Sequence, residues 1–336
     1  MIPPIMPLNE IYFGKTTEML KLERILEKIR IKYSRPNLND ITNGDIAKLK
    51  NDPLLVEIED KIKRTFGLEM LIIGITRENV YNCYTFSCKR DPKEPDDIPD
   101  TKYPITINSK GMRFSKEKDS PFLLILISSG LLLSPEVTPG EIVAILLHEI
   151  GHGFTKSVID KDKINNRLDE RFADSIPIMY GYATELASIS SKTYKKQTRD
   201  EYNLYKIPIV NLFVGLKNIM SDLAYRELVG EGLPHPDFIC RQKLIVDQLE
   251  SDLKKTPDLT TKQKKDLKDQ IDKCKKELHR LENNTDDDVT MSDRIQMSYH
   301  KNIVTKLPRD KELNRAMNLT SPDKVNNILL GLYKKR

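Results

Sequence analysis

Apolar residues fall at helical spacing through TTEMLKLERILEKIRIKYS (16–34), with charges between them and Pro36 just beyond. That period predicts an amphipathic helix. PLLVEIEDKIKRTF (53–66) repeats the pattern with Pro53 near its start, where a missing backbone N–H costs little. The pattern then changes. LEMLIIGIT (68–76) and VYNCYTFSC (80–88) are rich in β-branched and aromatic residues and predict strands. PITINSKGMRF (104–114) and PFLLILISSGLL (121–132) supply two more, and the Pro/Asp-rich KRDPKEPDDIPD (89–100) reads as a loop.

Helical periodicity returns after this small sheet. Thr138, Pro139 and Glu141 form a capping-box signature, and EIVAILLHEIGHGF (141–154) then runs as a largely buried helix. A second helix is expected over 165–191 with a kink at Pro177, and a third over 207–229. From 241 onward two charge-dense helical stretches flank the turn TPDLT (256–260), predicting an antiparallel hairpin, with shorter helices at 291–306 and 322–333. The expected class is α+β: a mainly helical domain with a small upstream β-sheet and helical extensions at both ends. The expected division is an N-terminal arm (1–49), a central domain (50–245) and a charged helical extension (246–336).

Composition narrows the function classes. Fifty-five basic and 50 acidic side chains leave a net charge of only +5 over 336 residues, a balance that argues against nucleic acid as a partner. The four cysteines (83, 88, 240, 274) form no C-x-x-C pair, which speaks against a zinc ribbon or a thioredoxin-type site and fits a reducing environment. The most apolar runs, 121–133 and 207–216, are shorter than the roughly 20 residues a bilayer requires, so no transmembrane segment is expected. MIPPIMPLNEIYFGK lacks the basic and long apolar regions of a signal peptide, so the expectation is a soluble chain, cytoplasmic or part of a larger particle.

The chemistry concentrates in LLHEIGHGF (146–154). Positions i and i+4 of a helix share a face, so His148 and His152 can close on one metal ion. Glu149, beside the first histidine, can take a proton from water at that ion. Two imidazoles and a carboxylate in an apolar helix are costly to bury unless paired or bound to a metal. A third ligand is needed. The metzincin pattern puts a histidine at position 158, where this chain has Val158, so that class is excluded. The gluzincin pattern uses a glutamate on a later helix, followed four residues on by aspartate. DERFADSIP offers Glu170 and Asp174, with Asp169 as a competing ligand. Glu170 is expected to ligate zinc, and Asp174 to accept the free ring N–H of a ligating histidine.

These segments resemble the HtpX-like gluzincins, the class that includes the CAAX prenyl proteases. The resemblance rests on NCYTF (82–86), ILISSGLL (125–132), HEIGH (148–152), in which Gly151 allows close helix packing, ERFAD (170–174) and PHPDFICR (234–241). It implies a zincin-like catalytic domain holding one Zn2+, with His235 and Arg241 near the substrate carbonyl, where donors stabilise a developing oxyanion. The implied activity is a zinc-dependent endopeptidase acting on a polypeptide substrate. Unlike the membrane-embedded members, this chain has no spanning helix. The FGK start and the amphipathic helix after it resemble tailed-phage virion proteins carrying such domains. The alternative expectation is therefore a metal-stabilised component of an assembly, docked through the N-terminal arm or the C-terminal helices.

Overall fold

The computed structural model describes residues 14–66, 68, 70–88, 105–108, 111–114, 122–158, 166–201, 238–256 and 259–282, plus a few helical positions within 212–221 and 294–299. Three helices open the described chain: α1 (Thr17–Tyr33), α2 (Asn43–Lys50) and α3 (Pro53–Phe66). Thr16 caps α1 by accepting from the Met19 N–H, and Met19, Leu22, Leu26, Ile29 and Tyr33 form its buried stripe. The short α2 was not anticipated. Its start is fixed by a reciprocal capping box between Thr42 and Asp45.

Five strands follow: β1 (Met70–Thr76), β2 (Cys83–Cys88), β3 (Ile105–Asn108), β4 (Gly111–Phe114) and β5 (Phe122–Ser128). Strands β1, β5 and β2 form one sheet in that order, with β5 in the middle, parallel to β1 and antiparallel to β2. Leu71, Ile73, Ile75, Leu123, Ile125 and Ile127 lie on one face of it and are buried in the core. Leu124 is buried as well, which suits the unbroken apolar run of a central strand. At the outer edge of β1, the buried Glu59 of α3 accepts the Ile73 N–H at 2.7 Å. That edge is thereby covered by a helix.

Two sequence expectations need correction in this region. Residues 104–114 are not one strand: β3 and β4 pair antiparallel as a separate two-stranded sheet. The strand expected over 121–132 ends at Ser128, whose hydroxyl accepts from the Leu131 N–H and starts the short helix α4 (Ser129–Leu133). Ser128 acts here as an N-cap, which competes with continued strand pairing.

Helix α5 (Pro139–Val158) packs against β2 and β5 on one side and against α6 (Asn166–Met179) and α7 (Ala183–Glu201) on the other. Its capping box is closed, with Thr138 Oγ1 accepting from the Glu141 N–H at 3.2 Å and Glu141 Oε2 accepting from the Thr138 N–H at 2.7 Å. Glu141 is buried and also accepts from Ser188 Oγ of α7 at 2.5 Å and from Lys192 Nζ. One carboxylate thus starts α5 and fixes α7 beside it.

The helix expected over 165–191 is two helices. They are separated at Gly181; Pro177, where a kink was expected, lies inside α6. Gly181 takes φ +79°; its N–H donates to Ile178 O at 3.1 Å, and the Tyr182 N–H donates to Pro177 O at 2.8 Å. This is a Schellman ending, which satisfies carbonyls that the stopped helix would leave open.

Helices α8 (Phe238–Lys255) and α9 (Thr261–Glu282) form the expected hairpin, and a reciprocal Thr260–Gln263 pair caps α9. Ile245 and Leu249 of α8 and Leu267, Ile271 and Cys274 of α9 join the same buried cluster as α1, the sheet and α5. The helices expected over 207–229, 291–306 and 322–333 lie outside the described residues, apart from isolated helical positions. Among the described residues, no helix is long and apolar enough to cross a membrane.

Candidate metal centre

His148 and His152 sit one turn apart on α5, and Glu170 and Asp174 one turn apart on α6. The two helices run antiparallel, because His148 meets Asp174 whereas His152 meets Asp169 and Glu170. At 1.5 Å per residue, the four-residue step from 148 to 152 spans about 6 Å and the five-residue step from 169 to 174 about 7.5 Å. The two rows of side chains can therefore face each other along their length.

Between these rows the backbones nearly touch. A Cβ on Gly151 would lie 2.5 Å from Ala173 Cα and 3.1 Å from the Ala173 carbonyl oxygen. Only a residue without a side chain allows this approach, and it brings the α6 carboxylates within reach of the α5 imidazoles.

The metal-facing atoms are the two Nε2 nitrogens and the Glu170 carboxylate. His148 Nε2 lies 3.0 Å from His152 Nε2. Glu170 Oε2 is 3.6 Å from the first nitrogen and Oε1 is 3.4 Å from the second. Ligands at 2.0–2.1 Å from a tetrahedral zinc ion are separated by about 3.3 Å, close to these spacings. His148, His152 and Glu170 are the one such candidate ligand group among the described residues.

The outer ring nitrogens explain why the inner ones can bind a cation. His148 Nδ1 lies 2.8 Å from Asp174 Oδ1, and His152 Nδ1 lies 3.0 Å from Asp169 Oδ2. A carboxylate at each Nδ1 favours the tautomer with the proton there, leaving both Nε2 lone pairs directed at one point. Two lone pairs and a carboxylate oxygen facing each other are repulsive until a proton or a metal ion joins them. Burial alone would lower the His152 pKa, but hydrogen bonds to Asp169 and Glu170 outweigh it and raise the value to about 10. Burial would raise Glu170, yet the facing histidines hold it down at about 2.

Asp174 is buried. Burial pushes its pKa up, but the Arg241 charge and the His148 hydrogen bond hold the carboxyl far below the usual carboxylate range. Arg241, from the first turn of α8, donates through Nε to Asp174 Oδ2 at 3.0 Å and through Nη2 to Oδ1. Its Nη2 also lies 3.3 Å from His148 Nδ1. The guanidinium, expected near a substrate carbonyl, thus contacts Asp174 and the Nδ1 side of His148, and its charge also acts on Glu170 and Glu149.

Glu149 is buried next to His148 in the sequence, and its charge adds to burial in pushing the Cys83 thiol of β2 well above the usual thiol value. His235 lies outside the described residues. Sequence reasoning weighed Asp169 only as a rival ligand. The structure instead puts Glu170 at the two Nε2 atoms and Asp169 at a ring nitrogen behind them.

No protein-family model, curated protein or solved structure matches the chain. The resemblance to HtpX-like gluzincins therefore rests on the motifs themselves. The geometry stands independently of it: His148, His152 and Glu170 form a cluster that fits one metal ion and is consistent with a zinc-protease-type active site.

Proposed function

We propose that the protein is a zinc-dependent endopeptidase. The observation that carries this reading is the convergence of His148 Nε2, His152 Nε2 and Glu170 on one point, with both Nδ1 atoms backed by carboxylates. A zinc ion there would supply Lewis-acid polarisation of a peptide carbonyl and acidify water at the site. His148, His152 and Glu170 hold the ion, and Asp174 keeps His148 in the binding tautomer. Arg241 orients the Asp174 carboxylate through its two-pronged contact.

Glu149 is the general base. It takes the proton from the attacking water and returns it to the departing amine, the sequence a carboxylate beside the first ligand is placed to perform. His235 is assigned as the donor to the developing oxyanion, on the strength of the His-Pro segment alone. The substrate is read as an extended strand pairing with β2, the edge strand against which α5 packs. The covered outer edge of β1 supports this choice between the two edges.

The test is zinc content of the purified protein together with casein cleavage, compared between wild type and Glu149→Gln. The reading expects about one zinc per chain in both and hydrolysis only in wild type. Full activity in the glutamine variant contradicts the mechanism.

A further inference from the structure

We infer that Gly14 and Lys15 form a clasp: they close over the turn between α6 and α7 and open from it as a local unit, without unfolding of α1. The inference stands on the fold and does not depend on the metal-site reading. The seat of the clasp is built from close backbone approaches. A Cβ at Gly181 would lie 2.6 Å from Gly14 C and 2.7 Å from Lys15 N, and one at Gly14 would lie 2.7 Å from Asp266 Oδ2 of α9. Its latch is one ammonium. Lys15 Nζ lies 2.9 Å from Glu23 Oε1 of α1, 2.7 Å from Glu185 Oε1 of α7 and 4.5 Å from the centroid of the Tyr182 ring. Tyr182 is buried, and its hydroxyl donates to the same Glu23 oxygen at 2.7 Å. A Cβ at Gly140, in the first turn of α5, would lie 3.4 Å from Lys15 Nζ.

Two residues that belong to no helix thus touch α1, α5, α7, α9 and the turn that ends α6. The hinge lies beside them. Thr16 is extended, at φ -79° and ψ 161°, and caps α1 with its own side chain. Helix α1 is held by its buried stripe of Met19, Leu22, Leu26 and Ile29, so it keeps its place when the clasp opens. The latch is held by charge and by an aromatic face rather than by apolar area. With the Lys15 side chain 27 % exposed, dissolved salt can weaken it. A segment with few buried apolar contacts opens at a lower free energy than the whole domain. Withdrawal of Lys15 releases the start of α5 and the end of α6, the two helices that carry the candidate metal ligands.

Native-state hydrogen exchange of the full chain in low urea tests this. It is read at the Gly181 and Tyr182 amides, which donate to Ile178 O and Pro177 O beneath the clasp. In wild type these amides should exchange through an opening with little urea dependence. The amides of Leu26 in α1 and Ile125 in β5 should need a strongly urea-dependent one. Raising NaCl to about 0.5 M should speed Gly181 and Tyr182 by screening the latch. Lys15→Met is expected to speed them about 5–30-fold and to remove most of the salt effect, and Lys15→Arg, which keeps the charge, to restore most of the protection. A purely structural Lys15 would leave Gly181 and Tyr182 with the urea dependence of Ile125, which overturns the proposal. Leu26 opening together with Gly181 overturns it too, as do wild-type rates indifferent to salt or unchanged rates in Lys15→Met. The wild-type measurements decide the matter even if the methionine variant does not fold.

Discussion

Gly151 of α5 lies against Ala173 of α6 so closely that a Cβ at position 151 would fall 2.5 Å from the alanine Cα. The contact sits between His148 and His152 on one helix and between Glu170 and Asp174 on the other. It is the point from which the metal-site spacings are set. Gly151→Ala should therefore push the helices apart, at a cost of about 1–3 kcal/mol typical of overpacking. Because the obstacle is backbone, relaxation has to move α6 and with it Glu170. Chelator competition should show weakened zinc binding alongside a lower melting temperature. Wild-type affinity in a folded Gly151→Ala protein would contradict the account.

Arg241 and Asp174 should be strongly coupled. Removing the guanidinium in Arg241→Met leaves a carboxylate at 6 % side-chain exposure without its main cationic partner. Breaking a buried pair in this way costs about 3–5 kcal/mol. The double variant Arg241→Met/Asp174→Leu should recover part of that loss, giving a coupling energy of about 0.5–3 kcal/mol in urea unfolding of the metal-free protein. Additive losses would mean that the contact contributes little.

Proton and metal compete for one place, and this fixes the sign of the pH dependence. The folded His152 pKa of about 10 lies above the ordinary histidine value of about 6.5. Protonation therefore stabilises the metal-free fold fully below about pH 6.5, and that contribution is lost as the pH rises toward 10. Zinc binding must displace this proton, so affinity should rise with pH across the same window. Glu170, held at about 2, stays ionised throughout it. The increment in melting temperature on adding zinc should thus be larger at pH 8.5 than at pH 6. An increment that shrinks with pH would contradict the assignment.

Much of this was legible in the sequence because it is local. The α5 capping box, the i/i+4 histidines and the Glu170/Asp174 pair each lie within a few residues along one helix, where period and propensity act directly. The break between α6 and α7 was missed: the segment was read as one helix with a kink at Pro177. In the structure Pro177 is accommodated within α6, and Gly181 ends the helix through its positive φ. The β3–β4 pair was missed because PITINSKGMRF was read as one strand, although Asn108, Ser109, Lys110 and Gly111 interrupt its apolar pattern with turn-forming residue types. The positions of Asp169 and Arg241 were not legible either. They depend on how α6 packs against α5 and how α8 packs against α6 and α7, and no single-helix pattern encodes that.

Gly181 supports a further test. Its φ of +79° disfavours any side chain, and a Cβ there would lie 2.6 Å from Gly14 C and 2.7 Å from Lys15 N. Gly181→Ala should destabilise the protein by about 1–3 kcal/mol, combining left-handed strain with a backbone clash. Denaturant midpoints measure this, and an unchanged midpoint would show that the turn is more tolerant than its geometry indicates.

The central claim is that one zinc ion is held by His148, His152 and Glu170. X-ray absorption at the zinc edge of the purified, zinc-loaded protein tests it most directly. The account predicts a light-atom shell at about 2.0–2.2 Å containing two imidazoles and a carboxylate, with the two-imidazole signature lost in His148→Ala. A shell without imidazole scattering, or one unchanged by His148→Ala, would contradict it.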